Sequence, residues 1–166
     1  MVARSRLVPD LRIGLGVDAH ALSADVPLVL GGVEFPGQRG LVGHSDGDVL
    51  AHALIDAILG GAGLGDIGDL FPSGDPTWLD ASSIRLLQRA YEVVRGEGFE
   101  LVNADCVLIG EEPRIAPVRS AMRARLAGAM GVGLEQIAVR ATTTDGLGFA
   151  GRREGLAAQA VALLRR

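Results

Sequence analysis

The sequence contains no lysine; all 16 of its basic residues are arginines. That excludes a lysine Schiff base and a phosphate-cradling P-loop lysine at once. Cysteine is almost absent too. The single one, Cys106, lies in an apolar stretch, cannot close an internal disulfide, and reads as a buried structural thiol in a reducing cytoplasm. Aromatic residues make up only 4% of the chain, too few for a base-stacking platform. The formal net charge of -4 and a pI near 5.3 leave no basic footprint for nucleic acid. No apolar run approaches the roughly 20 residues of a membrane span. Residues Met1 to Asp10 carry two arginines but no apolar signal-peptide core, so a cytoplasmic protein without membrane or nucleic-acid partners is expected.

What is present suits one globular domain: 166 residues, 48% hydrophobic and 22% charged, with no linker, repeat or low-complexity tract. Strands are expected over Arg12–His20, Leu28–Phe35, Phe99–Ile109 and Ile137–Thr143. Apolar residues recur at helical spacing from Val49 through Ile58, after a capping Ser45 or Asp46 and before Gly60 and Gly61. Further helices are expected from Ser82 or Ser83 to Arg95, from Pro117 to Met130, and from Arg153 to Arg165, with a loop over Gly63–Pro76. Strands early and late with helices between predict an α+β fold, with helices packed on one face of a single sheet. The uncovered face would then need a partner.

The chemistry concentrates in four segments. The only histidines are His20, His44 and His52. Asp18 and His20 stand two apart on a strand and share a face. His52 lies one helical turn after Asp48, a pairing that would make it a plain half-buried helix residue. One carboxylate with two imidazoles is equally a normal zinc set with a fourth position open. His44-Ser45-Asp46-Gly47-Asp48 opens a helix, where free N–H groups and the dipole suit an anion or simply a cap. Thr142-Thr143-Thr144-Asp145-Gly146 follows a strand and offers hydroxyls and a carboxylate for phosphate and a divalent ion, or a plain Asp-Gly turn. Gly65-Asp66-Ile67-Gly68 and Phe71-Pro72-Ser73-Gly74-Asp75-Pro76 make a long loop of the kind that carries function. By spacing alone these residues fit a zinc phosphohydrolase as well as other phosphate chemistry.

Taken in order, Asp18-Ala19-His20, His44 to Asp48 with His52, Gly65 to Gly68 with Phe71-Pro72, and Thr142-Thr143-Thr144 with Gly148-Phe149 and Gly151-Arg152 resemble the 2-C-methyl-D-erythritol 2,4-cyclodiphosphate synthase family, over nearly all of Arg12 to Arg166. The resemblance implies a phosphorus–oxygen lyase of the non-mevalonate isoprenoid route. The 2-phosphate of 4-diphosphocytidyl-2-C-methyl-D-erythritol 2-phosphate attacks its own β-phosphorus and CMP leaves. It implies a two-layer sandwich, with a four-stranded mixed sheet and helices on one face, assembled as a homotrimer with shared active sites. Residues 1–11 form an N-terminal extension and 12–166 the single domain.

By the same resemblance, Zn²⁺ falls to Asp18, His20 and His52, and a second ion, Mg²⁺ or Mn²⁺, to Asp145. His44 and Thr143 assist the transition state. Substrate contacts fall to Ser45, Asp66, Ile67, Gly68, Phe71, Asp75, Thr142, Thr144 and Phe149, and to Arg152, which faces an anion-binding cavity on the threefold axis able to take an isoprenoid diphosphate. Gly110, Pro113, Arg114, Ile115 and Ala116 form the cytidine pocket of an adjacent subunit. Four positions depart from the family pattern: Asp145 replaces a usual Glu, Gly110 and Arg114 replace Ala and Lys, and Ser73 replaces a frequent Asp. A non-catalytic trimeric module binding metal and nucleotide is the alternative.

Overall fold

The computed structural model describes residues 10–166. Most of the expected N-terminal extension, residues 1–9, lies outside the described residues. The chain runs β1 (Leu11–Ser23), β2 (Val29–Leu30), β3 (Val33–Glu34), β4 (Gly40–Leu41), α1 (Val49–Ala62), α2 (Ile67–Leu70), α3 (Ser83–Gly96), β5 (Glu100–Ile109), α4 (Arg119–Met130), β6 (Ile137–Thr142), α5 (Gly148–Gly151) and β7 (Gly155–Arg165). Asp10 exchanges backbone hydrogen bonds with Arg166, so the folded unit already includes it.

The sheet has five strands, in the order β4-β1-β7-β5-β6, rather than the four expected. The expected last helix and the expected second strand both fail, each for a physical reason, and the expected loop over Gly63–Pro76 contains the short helix α2. The last segment is a strand, not a helix. Its alanines and leucines favour a helix locally, but β7 lies between β1 and β5 and bonds to both along its length. Ala158, Ala160 and Ala162 are fully buried, small enough to let a helix pack directly on the strand. Leu28–Phe35 is not one strand but the β2–β3 hairpin, because Gly31 and Gly32 turn the chain at φ 56° and 73°.

The N-cap of α1 is Asp48, not Ser45 or Asp46, and the helix ends at Gly63 in the left-handed region. Asp48 is completely buried. It accepts hydrogen bonds from the N–H groups of Gly31, Gly32 and Ala51, and so ties the hairpin to the start of α1. Burial pushes its pKa up to about 6 against those three donors.

Helix α1 is buried on nearly all sides, between the sheet and α3. It can lie that close because β1 has glycine at two inward positions. A Cβ on Gly14 would sit 1.8 Å from the carbonyl oxygen of Ala57, and one on Gly16 1.8 Å from that of Ala53. The next inward residue along β1 is Asp18, and His52 directly precedes Ala53 on α1. The opposite face of β1 carries Ile13, Leu15 and Val17, which are 75, 62 and 54% exposed. Strands β1, β5 and β6 run in one sense and β7 against them, so the C-terminal ends of three strands share one rim. Among the described residues no helix is long and apolar enough to cross a membrane.

Gly16→Ala is expected to lower stability by about 3 kcal/mol, at the upper end of overpacking costs. Urea denaturation measures it, and a change within experimental error would show that α1 can move away freely. Cys106 gives a second test. Burial, with Asp105 and Asp48 nearby, pushes its thiol up to about 12. A disulfide reagent at pH 8 should leave it unmodified in the native protein and modify it fully in denaturant.

Candidate metal centre and ligand clefts

The pleat of β1 turns Asp18 and His20 to the helix side, and α1 delivers His52 to the same point. Asp18 Oδ2 lies 2.8 Å from His20 Nε2 and 2.9 Å from His52 Nδ1, and the two ring nitrogens are 3.2 Å apart. These three atoms form a group able to hold a metal. The Nδ1 atom of His20 is 2.6 Å from the carbonyl oxygen of Val42, so it carries the ring hydrogen and Nε2 presents its lone pair when the ring is neutral. A carboxylate oxygen and ring-nitrogen lone pairs thus converge, an arrangement that a cation or shared protons must hold. Ligand atoms around a tetrahedral zinc lie about 3.3 Å apart, so these separations suit such an ion after widening by a few tenths of an ångström. The charges agree. Burial works to raise the pKa of Asp18, but hydrogen bonds and charge interactions with His20 and His52 hold the carboxyl well below the usual range. His20 is raised, chiefly by its hydrogen bond to Asp18 and against its own burial.

The cluster sits in a cleft of about 400 Å³ that also takes in His44, Ser45, Ile67, Gly68 and Phe71. Asp66 stands just behind, capping α2 through the N–H of Asp69. Asp75 caps a short 3-10 turn at Pro76–Trp78, and its carbonyl oxygen is 3.5 Å from His44 Nε2. Phe71 packs edge-on against Trp78 with centroids 4.9 Å apart, which gives the cleft an apolar wall.

The remaining expected site residues gather elsewhere on the same rim. Gly110, Pro113, Arg114, Ile115 and Ala116 line a second cleft of about 320 Å³ with Thr142 and Thr143. Glu111 Oε1 accepts from the Thr144 N–H at 3.1 Å, the Gly146 N–H at 3.3 Å and the Thr144 hydroxyl at 3.3 Å. Asp145, between those N–H groups, is left-handed at φ 52° and accepts from the Thr143 hydroxyl. Phe149 lies beside Ala19 and Ala21, and Arg152 is exposed and ion-paired with Glu154 at 2.9 Å. The metal group on β1 and the threonine loop after β6 are three strand spacings apart, about 14 Å. One chain therefore keeps its two clefts separate.

Residue-type spacing did not single out the partners of His52. Its Nε2 atom lies 2.9 Å from both Ser45 Oγ and Ser83 Oγ, and Ser83 donates in turn to Asp46. Nor did it identify Glu111 as the brace of the threonine loop. Ser83 is 31 residues from His52 and looked like a helix cap, so no local signal was available.

This is a small α+β domain that carries a carboxylate–imidazole cluster able to hold a metal. The chain belongs to the YgbB family, whose model matches residues 11–165. It is 58% identical over 154 residues to the 2-C-methyl-D-erythritol 2,4-cyclodiphosphate synthase of Moorella thermoacetica, covering 93% of this chain and 94% of that one. A solved 2C-methyl-D-erythritol-2,4-cyclodiphosphate synthase in a CDP-bound form superposes with a TM-score of 0.84 at 39% identity, over 92% of this chain and 99% of that one. The bifunctional IspDF of Campylobacter jejuni superposes with a TM-score of 0.91 at 44% identity over 95% of this chain, which spans 43% of that longer protein.

His52→Ala removes one of the three atoms of the group able to hold a metal. Bound divalent metal, counted by elemental analysis after gel filtration, is expected to fall from about one per chain to a small fraction. Full occupancy in the variant would remove His52 from the ligand set.

Proposed function

We propose that this chain is a cyclodiphosphate synthase acting in the cytoplasm in isoprenoid biosynthesis. It converts 4-diphosphocytidyl-2-C-methyl-D-erythritol 2-phosphate into 2-C-methyl-D-erythritol 2,4-cyclodiphosphate and CMP. A 2-phosphate oxygen forms the new bond to the β-phosphorus, and the bond from that phosphorus to the CMP oxygen breaks. The observation that carries the reading is the Asp18–His20–His52 cluster at the floor of a cleft walled by His44, Ser45 and Phe71, in a chain whose relatives bear this enzyme's name.

The attack is intramolecular, so most of the catalysis is positioning. No protein nucleophile is required. Asp18, His20 and His52 would hold Zn²⁺, and Asp145 would hold Mg²⁺ or Mn²⁺ with the substrate's phosphates; bound there, such ions neutralise charge on the phosphoryl oxygens. His44 and Ser45 face the same cleft and donate hydrogen bonds to phosphate oxygens as charge gathers. Ile67, Gly68 and Phe71 shape the space for the methylerythritol chain, with Asp66 and Asp75 fixing the loop that carries them. Gly110 to Ala116 take the cytidine, and Thr142, Thr143 and Thr144 lie toward the diphosphate.

A homotrimer follows from the same reading. The bare face of the sheet exposes Ile13, Leu15 and Val17, an apolar stripe that a neighbouring copy would bury. Packing around a threefold axis would also bring the cytidine cleft of one chain toward the metal cleft of the next. Phe149 and Arg152 would then lie near the axis, where Arg152 suits an anionic ligand such as an isoprenoid diphosphate.

Phosphorus NMR of the purified protein with this substrate, Zn²⁺ and Mg²⁺ tests the proposal. The expected spectrum is that of the cyclic diphosphate with stoichiometric CMP. An open-chain phosphate product would mean a hydrolase. Persistence of the substrate with a metal-loaded protein that binds CMP would mean a binding module.

A further inference from the structure

Asp46 and Ser83 lie outside the cleft-lining set, yet they stand directly behind the buried metal-facing histidine. Ser83 is completely buried. Its Oγ is 2.9 Å from His52 Nε2, and its hydroxyl donates to Asp46 Oδ1. Asp46 also accepts from the Ser83 N–H at 3.0 Å and from the Asp48 N–H at 3.2 Å. Every hydrogen bond formed by this carboxylate is therefore one it accepts.

The direction of the chain follows from what each group can do. An ionised carboxylate only accepts. Ser83 has one hydroxyl hydrogen, and it goes to Asp46. What Ser83 offers His52 is then a lone pair, so His52 Nε2 must carry the hydrogen. Its Nδ1 is left with the lone pair, pointed at Asp18 Oδ2 and His20 Nε2. We infer that Asp46 and Ser83 are positioning residues that lock His52 as the Nε2–H tautomer, with Nδ1 as the metal-binding atom.

Ser45 does not do this on its own. Its Oγ is also 2.9 Å from His52 Nε2 and 3.3 Å from Ser83 Oγ, but among the described residues no carboxylate takes its hydrogen, so its own bonding does not fix which ring nitrogen carries the proton. Its hydroxyl lies on the cleft side, available to a ligand. Ser83 is the first residue of α3, and its N–H is one of the unpaired donors at that helix start. By binding both the N–H and the hydroxyl of Ser83, Asp46 joins the start of α3 to the metal-binding histidine. The segment is held further by the Asp46 N–H to the Ala81 carbonyl at 3.2 Å and the Asp80 N–H to the His44 carbonyl at 3.0 Å.

The inference rests on the metal reading of the Asp18–His20–His52 cluster, and the probe is Zn²⁺ alone, in competition with a chromogenic chelator. S83A and D46N are each expected to weaken zinc binding by about 10–100-fold, as loss of an outer partner of a ligating histidine does. S83T, which keeps the hydroxyl, should recover most of the affinity, and S45A should weaken it less than S83A. Long-range ¹H–¹⁵N correlation spectra of the zinc-loaded wild-type protein should show the His52 proton on Nε2, a readout independent of how well any variant folds. Wild-type affinity in both S83A and D46N, or a proton on Nδ1 of His52, would overturn the inference. A wild-type protein that takes up no zinc would instead overturn the metal reading beneath it.

Discussion

Where β1 meets α1, two backbones approach so closely that no side chain fits between them, and the rest of the molecule is arranged around that contact. Gly14 and Gly16 give up packing atoms and add flexibility to the unfolded chain. In return the carbonyl groups of Ala53 and Ala57 come to rest on the strand itself. The contact fixes the height of the helix above the sheet and its rotation about its own axis. Both are needed for a side chain on the helix and two on the strand to share one point in space. A larger residue at either glycine would lift α1, and Asp18, His20 and His52 would no longer converge. The buried alanines of β7 extend the same close layer under the helix.

The polar groups of the fold follow from that geometry. A helix brought down onto a sheet buries its own N-terminus, and the exposed donors there need partners. Asp48 supplies one for Ala51 and uses its other lone pairs on the turn of the β2–β3 hairpin. Asp46 serves the start of α3 in a similar way. Two acidic residues in one short segment thus satisfy two helix starts and one tight turn. The segment between β4 and α1 is held in a single shape, and His44 and Ser45 are carried to the cleft on it.

Much of the site was legible because its residues are close in sequence or fall on a regular period. Asp18 and His20 share a face through strand alternation, and His52 falls on a clear helical repeat. Elements failed where long-range pairing outweighed local preference. The run of alanine and leucine in β7 is a good helix in isolation and a strand only between β1 and β5. Gly31 and Gly32 fall inside what reads as one strand and are the turn between two. Ser83 and Glu111 were illegible for a different reason. Each acts across more than 30 residues, on atoms that only the finished fold brings near.

Glu111 shows what such a contact does for binding. Its carboxylate occupies the N–H groups of Thr144 and Gly146, on either side of the left-handed Asp145, and these hydrogen bonds hold its pKa below the usual range. Successive N–H groups turned inward like this form a concavity suited to any anion. Here the chain fills it with its own side chain. The threonine loop is thereby preorganised: its conformational entropy is lost when the chain folds, and a ligand arriving at Thr142 and Thr143 meets a loop already in shape. The same carboxylate belongs to the segment that lines the neighbouring cleft, so the two walls of that cleft are rigid with respect to each other before anything enters it.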